Sequence, residues 1–307
     1  MKLTIGSRKS MLAQTQTNMV KQMLLAHWPD LTVEIDLIDT QGDLNRTDPL
    51  PEIGGKGLFT LELEEALRAK RIDLAVHSLK DLPVEDSPDL AVVAIPVRAA
   101  AQDMLVSHQA QTITELPPNA VVGTSSRRRA AQVLALRPDV TIKDIRGNVD
   151  TRLRKLDDPN QGYDAILLAQ AGLDRLGYDL AHAHALTPEQ MLPAPGQGAL
   201  GIQGRADDPQ VNAYLQALDD SATRNRVVAE RAFLNSLGGG CSLPVGAWAT
   251  LSDHRITLQG IVASADGKTV IKIEDNAPLA EAEQLGRSVA QRAIDQGAKA
   301  LLDVHVS

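Results

Sequence analysis

Hydrophobic period constrains this chain more tightly than any other feature. Short runs with apolar residues at every second position keep giving way to longer runs that repeat every three to four. "KLTIGS" puts Leu3 and Ile5 on one face, and "TVEIDLID" does the same with Val33, Ile35 and Leu37. Between them Ser10 can cap a helix reaching about His27, with Pro29 beyond its end. "LFTLELEEALRAK" (58–70) gathers Phe59, Leu63, Ala66 and Leu67 on one helical face, and "RIDLAVHS" resumes strand alternation through Ile72, Leu74 and Val76. Strands separated by helices predict βαβ units and a mainly parallel sheet.

The middle third repeats the scheme: "AVVGTSS", "VTIKDI" and "YDAILLAQ" read as strands, with "RRRAAQVLAL" and "VDTRLRKL" as helices between them. Proline and glycine crowd "LPAPGQGALGIQG" (192–204), which reads as a crossing between domains. With Ile95–Ala101 as a second hinge candidate, the middle segment becomes an inserted domain. After the helical run "SATRNRVVAERAFLNSL" come three strand-like runs, "VGAWATL", "RITLQGIVAS" and "TVIKIED", and a helix near 279–297. The expected division is 1–97 with 198–217, then 98–197, then a small α+β domain over 218–307.

A formal charge of -8 argues against a nucleic acid or an acidic membrane engaged by bulk charge. No apolar run approaches the ~20 residues needed to span a bilayer, and "MKLTIGSRKS" lacks the apolar stretch of a signal peptide. One cysteine cannot form an internal disulfide. The expectation is a cytoplasmic protein. That cysteine, Cys241, lies in "LGGGCSLPVG", and a thiol after three glycines is poorly placed to pack a core.

In an acidic chain the placement of cations matters more than their number. Several fall at the loop ends of predicted strands, where open α/β sheets bind ligands: Arg8, Lys80, Arg128, Arg129, Arg146 and Arg175. Arg152 follows about a helical turn after Arg146, and Lys56 lies in "GGKG" ahead of a helix. Glycine-rich turns expose backbone N–H groups, helix N-termini favour anions, and arginine grips carboxylate or phosphate bidentately. Each signal alone is weak, and basic residues near helix starts are usually solvated. Together they predict a polyanionic small molecule in a cleft between two α/β domains.

Asp81, in "HSLKDLP", reads either as a turn aspartate ahead of Pro83 or as a carboxylate among cations, suited to stabilising positive charge or moving a proton. His77 reads as packed on its strand. No metal site is expected: there is no Cys/His cluster, and "HAHA" (182–185) reads as a coincidence on a helix surface.

Eight stretches in order, "GSRKSMLAQTQ", "GGKGLFTLELEEAL", "DLAVHSLKDLP", "GTSSRRRAAQ", "IRGNVDTRL", "LAQAGLDRLG", "LPAPGQGALGIQ" and "AERAFLNSLGGGCSLPVG", resemble the porphobilinogen deaminase (hydroxymethylbilane synthase) family from residue 6 to 246. The resemblance implies three domains, two of them doubly wound and like periplasmic binding proteins, with a cleft between. It implies a transferase of tetrapyrrole and heme biosynthesis that adds four porphobilinogens head to tail, each losing ammonia. They would be added to a dipyrromethane cofactor held through a thioether to Cys241. Each substrate carries an acetate and a propionate, which gives the cation pattern a cause.

By the same resemblance, Lys80, Asp81, Ser126, Arg128 and Arg129 would bind the cofactor. Arg8, Ser10, Gln16, Lys56, Phe59, Ser78, Arg146, Arg152, Arg175 and Gln197 would bind substrate. Asp81 would face the pyrrole N–H groups and be catalytic, and the enzyme would be a monomer. Glu52 sits where some members have a basic residue, Arg127 replaces a usual aliphatic, and "SMLAQTQ" departs from the usual first-helix run. The rival readings are a non-catalytic bilobal anion binder and a phosphoryl-transfer enzyme. The latter lacks a Walker A loop and acidic residues at metal-binding spacing.

Overall fold

The computed structural model describes residues 1–40, 60–85, 87–239 and 243–303. The chain divides into two compact units, Met1–Ala99 with Gly198–Arg224, and Ala100–Gln197 with Asn225–Ser307.

The first unit is built on a five-stranded sheet of order β2-β1-β3-β10-β4. Strands β1 (Lys2–Arg8), β2 (Thr32–Ile38) and β3 (Leu74–Ser78) run parallel, while β10 (Leu200–Arg205) lies antiparallel between β3 and β4 (Leu90–Ala94). Helix α1 (Met11–His27) starts at Ser10, as its cap chemistry predicts, and turns Ala13, Val20 and Leu24 into the core. Helix α2 (Leu61–Arg68) buries Leu63, Ala66 and Leu67 within the predicted 58–70 run. β3 is buried from Leu74 to His77, as befits a central strand covered on both faces.

β10 is a correction to the sequence reading, which treats this stretch as part of a crossing. It is a fully buried central strand, and its glycines are demanded by packing. A Cβ on Gly201 would lie 2.9 Å from Leu79 Cδ1. Strand β4 was likewise not foreseen.

The second unit holds a sheet of the same pattern, order β7-β6-β8-β5-β9. β6 (Val121–Gly123), β7 (Thr141–Lys143) and β8 (Ala165–Ala169) are parallel, and β5 (Asp103–Val106) runs antiparallel between β8 and β9 (Ala183–Ala185). Helices α3 (Arg127–Leu136), α4 (Val149–Asp157) and α5 (Gln170–Arg175) follow β6, β7 and β8. The strand at Ala183–Ala185 corrects the helical reading of "HAHA". Helices α6 (Pro209–Gln216) and α7 (Ser221–Ser236) come next in the chain.

An antiparallel meander, β11 (Val245–Ser252), β12 (Arg255–Ala263) and β13 (Val270–Pro278), is followed by α8 (Ala282–Asp295) and α9 (Ala298–Asp303). The meander is stitched to the end of the middle segment, since Ala247 N–H donates to the Pro193 carbonyl at 2.9 Å. A Cβ on Gly246 would come within 2.8 Å of the Leu192 carbonyl oxygen, so only glycine allows that approach. No helix among the described residues is long and apolar enough to cross a membrane.

Candidate active site: two sets of strand ends

In the first unit, β1 ends at Arg8 and Ser10 follows as the cap of α1. Ser10 Oγ accepts the Ala13 N–H at 3.3 Å, which leaves its own hydroxyl proton to donate. β3 ends at Ser78, whose Oγ accepts from Nε2 of the buried Gln16 at 2.8 Å. A single turn of 3₁₀ helix, Leu79–Asp81, comes next. It is pinned by the Leu79 N–H to the Ala199 carbonyl at 3.0 Å, turning Leu79 inward. Lys80 is left half-buried and Asp81 exposed. Among the described residues, the Asp81 carboxylate makes no hydrogen bond or ion pair.

His77 is buried on β3 with Nε2 3.0 Å from Gln203 Oε1. Burial, reinforced by the charge of Arg8 and opposed by the Gln203 bond, pushes its pKa down to about 4. It is a packed, neutral imidazole.

In the second unit, helix α3 opens with three arginines behind the Ser126 cap, whose Oγ accepts the Arg129 N–H at 3.4 Å. Arg128 and Arg129 are buried on one carboxylate, that of Asp103 on β5, itself 0% exposed. Arg128 Nη1 donates to Asp103 Oδ2 at 2.6 Å and to the Leu192 carbonyl at 2.7 Å. Arg129 donates from Nε and Nη2 to Asp103 Oδ1, at 3.0 and 2.7 Å, and from Nη1 to the Leu167 carbonyl at 2.8 Å. The buried Gln197 completes the cluster, reaching Asp103 Oδ1 at 2.9 Å and the Ala101 carbonyl at 2.7 Å. Burial alone would raise the Asp103 pKa, but the two guanidinium charges and their hydrogen bonds hold it well below the usual carboxylate range.

Arg146, Arg152 and Arg175 lie half-buried in the same unit. Arg152 Nε donates to the Gly147 carbonyl at 2.8 Å. Burial and the like charges of Arg129 and Arg146 lower its pKa to about 10, so these three guanidiniums feel one another. Burial also lowers Arg175, partly offset by Asp174.

The structure therefore gathers Arg8, Ser10, Gln16, Ser78, Lys80 and Asp81 at neighbouring strand and helix ends in one unit. In the other it joins Ser126, Arg128, Arg129, Arg146, Arg152 and Gln197. Lys56, Phe59 and Cys241, with Glu52, lie outside the described residues. Sequence reasoning missed Asp103, whose signal was an acidic residue opening the apolar run "DMLV". Among the described residues one potential metal-ligating group also occurs, which the sequence reading did not anticipate. His108, Asp157 and His182 have candidate ligand atoms within 4.8 Å of one another, and His108 Nε2 sits 2.9 Å from Asp157 Oδ1.

Arginines, lysine and hydroxyl groups at the strand ends of two α/β sheets define a protein equipped for anionic small molecules. The family model "Porphobilinogen deaminase, dipyromethane cofactor binding domain" matches residues 3–213, and "Porphobilinogen deaminase, C-terminal domain" matches 225–295. The chain is 49% identical over 300 residues to a porphobilinogen deaminase of Roseiflexus sp. (strain RS-1), covering 98% of each chain. It is 48% identical to that of Chromobacterium violaceum, covering 98% of this chain and 97% of the relative. Among solved structures, the BenM effector-binding domain with benzoate is similar over 70% of this chain and 88% of that one, at a TM-score of 0.41 and 14% identity. The periplasmic aliphatic sulphonate binding protein SsuA from Escherichia coli is similar over 76% and 74%, at 0.39 and 16%.

The chain belongs to the porphobilinogen deaminase family. It is a transferase that condenses four porphobilinogen molecules head to tail, releasing ammonia, on a dipyrromethane cofactor to give hydroxymethylbilane.

Proposed function

We propose that Asp81 is the catalytic carboxylate of this reaction and that the strand-end cations hold the carboxylates of cofactor and substrate, with Cys241 as the thioether tether. The observation that carries the Asp81 assignment is its exposed carboxylate, in a pinned turn beside Lys80 and without a described partner. A carboxylate spent on structure would be hydrogen-bonded, as Asp103 is. Loss of ammonia from porphobilinogen leaves positive charge on the pyrrole, and a fixed carboxylate lowers that barrier electrostatically.

The donor chemistry of the second unit fits a group carrying acetates and propionates. Of the five N–H donors on each guanidinium, Arg128 uses two and Arg129 three within the described protein. The rest can face an anion. Arg146 and Arg152 add positive charge beside Arg129. When bound, dipyrromethane supplies the pyrrole terminus to which the first substrate is joined; Ser126, Arg128, Arg129 and Lys80 would hold it. Arg8, Ser10, Gln16, Lys56, Phe59, Ser78, Arg146, Arg152, Arg175 and Gln197 would orient incoming substrate. We read the chain as cytoplasmic with no nucleic-acid partner, a reading supported by its net charge of -8 and single cysteine, and as a monomer, which family resemblance favours. The division 1–97 with 198–217, 98–197 and 218–307 is its expected functional partition.

The test is Asp81→Asn against Asp81→Glu. Asparagine keeps the shape and removes the charge, so porphobilinogen should still bind while kcat falls roughly 10²–10⁴-fold. Glutamate should retain more activity than asparagine. Wild-type kcat in Asp81→Asn would reduce Asp81 to a turn residue. Intact mass separates the tether: wild type should exceed the bare chain, and Cys241→Ala should equal it and make no tetrapyrrole.

A further inference from the structure

We infer that Asp103 is a positioning residue for the reaction, the one group that aims Arg128 and Arg129 together at the carboxylates they bind. This rests on the proposed anion-binding role of those arginines. Consecutive residues on a helix project about 100° apart and do not face a common point. Here they meet because one carboxylate lies beneath the helix start and gives Oδ2 to Arg128 and Oδ1 to Arg129. A third side chain, Gln197, converges on Oδ1, and the Leu192 and Leu167 carbonyls fix the far sides. Neither guanidinium can swing without breaking bonds made in a fully buried place.

The placement is costly for stability alone. Both cations sit in the first turn of α3, where the helix dipole disfavours positive charge. One carboxylate against two guanidiniums leaves a buried charge of +1, which burial penalises and an anionic ligand relieves. The Leu192 carbonyl that anchors Arg128 adjoins Pro193, to which β11 is bonded. β11 begins four residues after Cys241 in the sequence. The arginines and the start of the C-terminal sheet thus share one support.

The experiment compares Asp103→Asn, Asp103→Glu and Arg129→Lys as purified full chains, reading melting temperature, the fraction carrying covalent pyrrole by intact mass, and kcat and KM for porphobilinogen. Assayed well below melting, folded Asp103→Asn should lose about 10²-fold in cofactor loading or kcat, the penalty for displaced contact groups. Asp103→Glu should recover part of it. A merely structural role would lower the melting temperature and leave the folded fraction fully loaded with wild-type kcat, which would overturn the proposal.

If neither Asp103 variant folds, the wild-type holoenzyme decides. Nitrogen-15 NMR should find the guanidinium groups of Arg128 and Arg129 rotationally frozen before substrate is added, while that of exposed Arg154 averages. Free rotation at Arg129 would equally overturn it. Arg129→Lys tests the underlying reading separately: normal loading and turnover there would remove the role of the arginine itself, whatever Asp103 does.

Discussion

Two aspartates, one in each unit, lie beside basic residues and come to opposite ends. Asp81 follows β3 in a one-turn helix, is exposed and carries no described partner. Asp103 opens β5, is fully buried, and receives four hydrogen bonds from three side chains. Both stand on topologically matched sheets, three parallel strands with an antiparallel fourth, so the difference is not one of fold class. It is one of where the desolvation falls. Asp103 gives up water permanently and is compensated permanently, which makes it an organiser. Asp81 keeps its lone pairs open, which suits a group that must meet charge as it develops.

The largest expected effect that would break this contrast is on stability. Removing one member of a buried ion cluster leaves uncompensated charge, so Asp103→Asn should cost about 3–5 kcal/mol. Asp81→Asn, a surface change, should stay within about ±0.5 kcal/mol. Urea unfolding followed by circular dichroism measures both. Equal costs would erase the distinction between organiser and reagent.

How far the sequence led follows the same line. Period and capping located α1 behind Ser10, α3 over Arg127–Leu136, and strands β1, β2, β6 and β8, because these obey local rules. β10 was hidden because Gly201 and Gly204 are there to admit Leu79 and Asn212, a tertiary demand that locally looks like a loop. The strand-end cations were legible as a class, and family resemblance gave them roles. Asp103 was not legible: nothing near it in sequence says that arginines 25 and 26 residues away will close on it.

A second way to bury a titratable group is to neutralise it, and His77 does this where Asp103 is paired. Its pKa falls from 6.5 to about 4, so between those values the unfolded chain binds a proton that the native one refuses. Stability from this group is therefore complete above pH 6.5 and lost as pH falls toward 4. The loss should approach about 3 kcal/mol. His77→Gln removes the titration, so the wild type should lose that much more stability than the variant between pH 7 and pH 4. Parallel pH profiles would mean that His77 is not desolvated as described.

The arginines sharpen the contrast within the second unit. Arg128 and Arg129 are fixed by Asp103, whereas Arg152 has a carbonyl partner and like-charged neighbours. Replacing any one of the middle-segment set, Arg128, Arg129, Arg146 or Arg152, by alanine should cost about 1.5–3 kcal/mol at the step that uses it. Turnover should then stall at a different enzyme-bound intermediate for each variant, seen by native separation of substrate-loaded protein. One unchanged ladder in all four would mean they act as a bulk field.

The smallest effect compares the two helix caps. Ser10 and Ser126 accept from Ala13 and Arg129 N–H groups over long distances of 3.3 and 3.4 Å, so each cap contributes weakly. Alanine should cost about 0.5–1 kcal/mol and glycine only a few tenths. Glycine therefore isolates the hydroxyl's other role: it spares the helix but removes the O–H proton that remains to donate to a carboxylate. If both serines bind anions, Ser10→Gly and Ser126→Gly should raise KM for porphobilinogen or lower cofactor loading several-fold at near wild-type stability. The Ser126 change should act on loading and the Ser10 change on KM, since Ser126 is assigned to the cofactor and Ser10 to the substrate. Wild-type values for both would leave the serines as helix caps alone, with anion recognition resting on the cations.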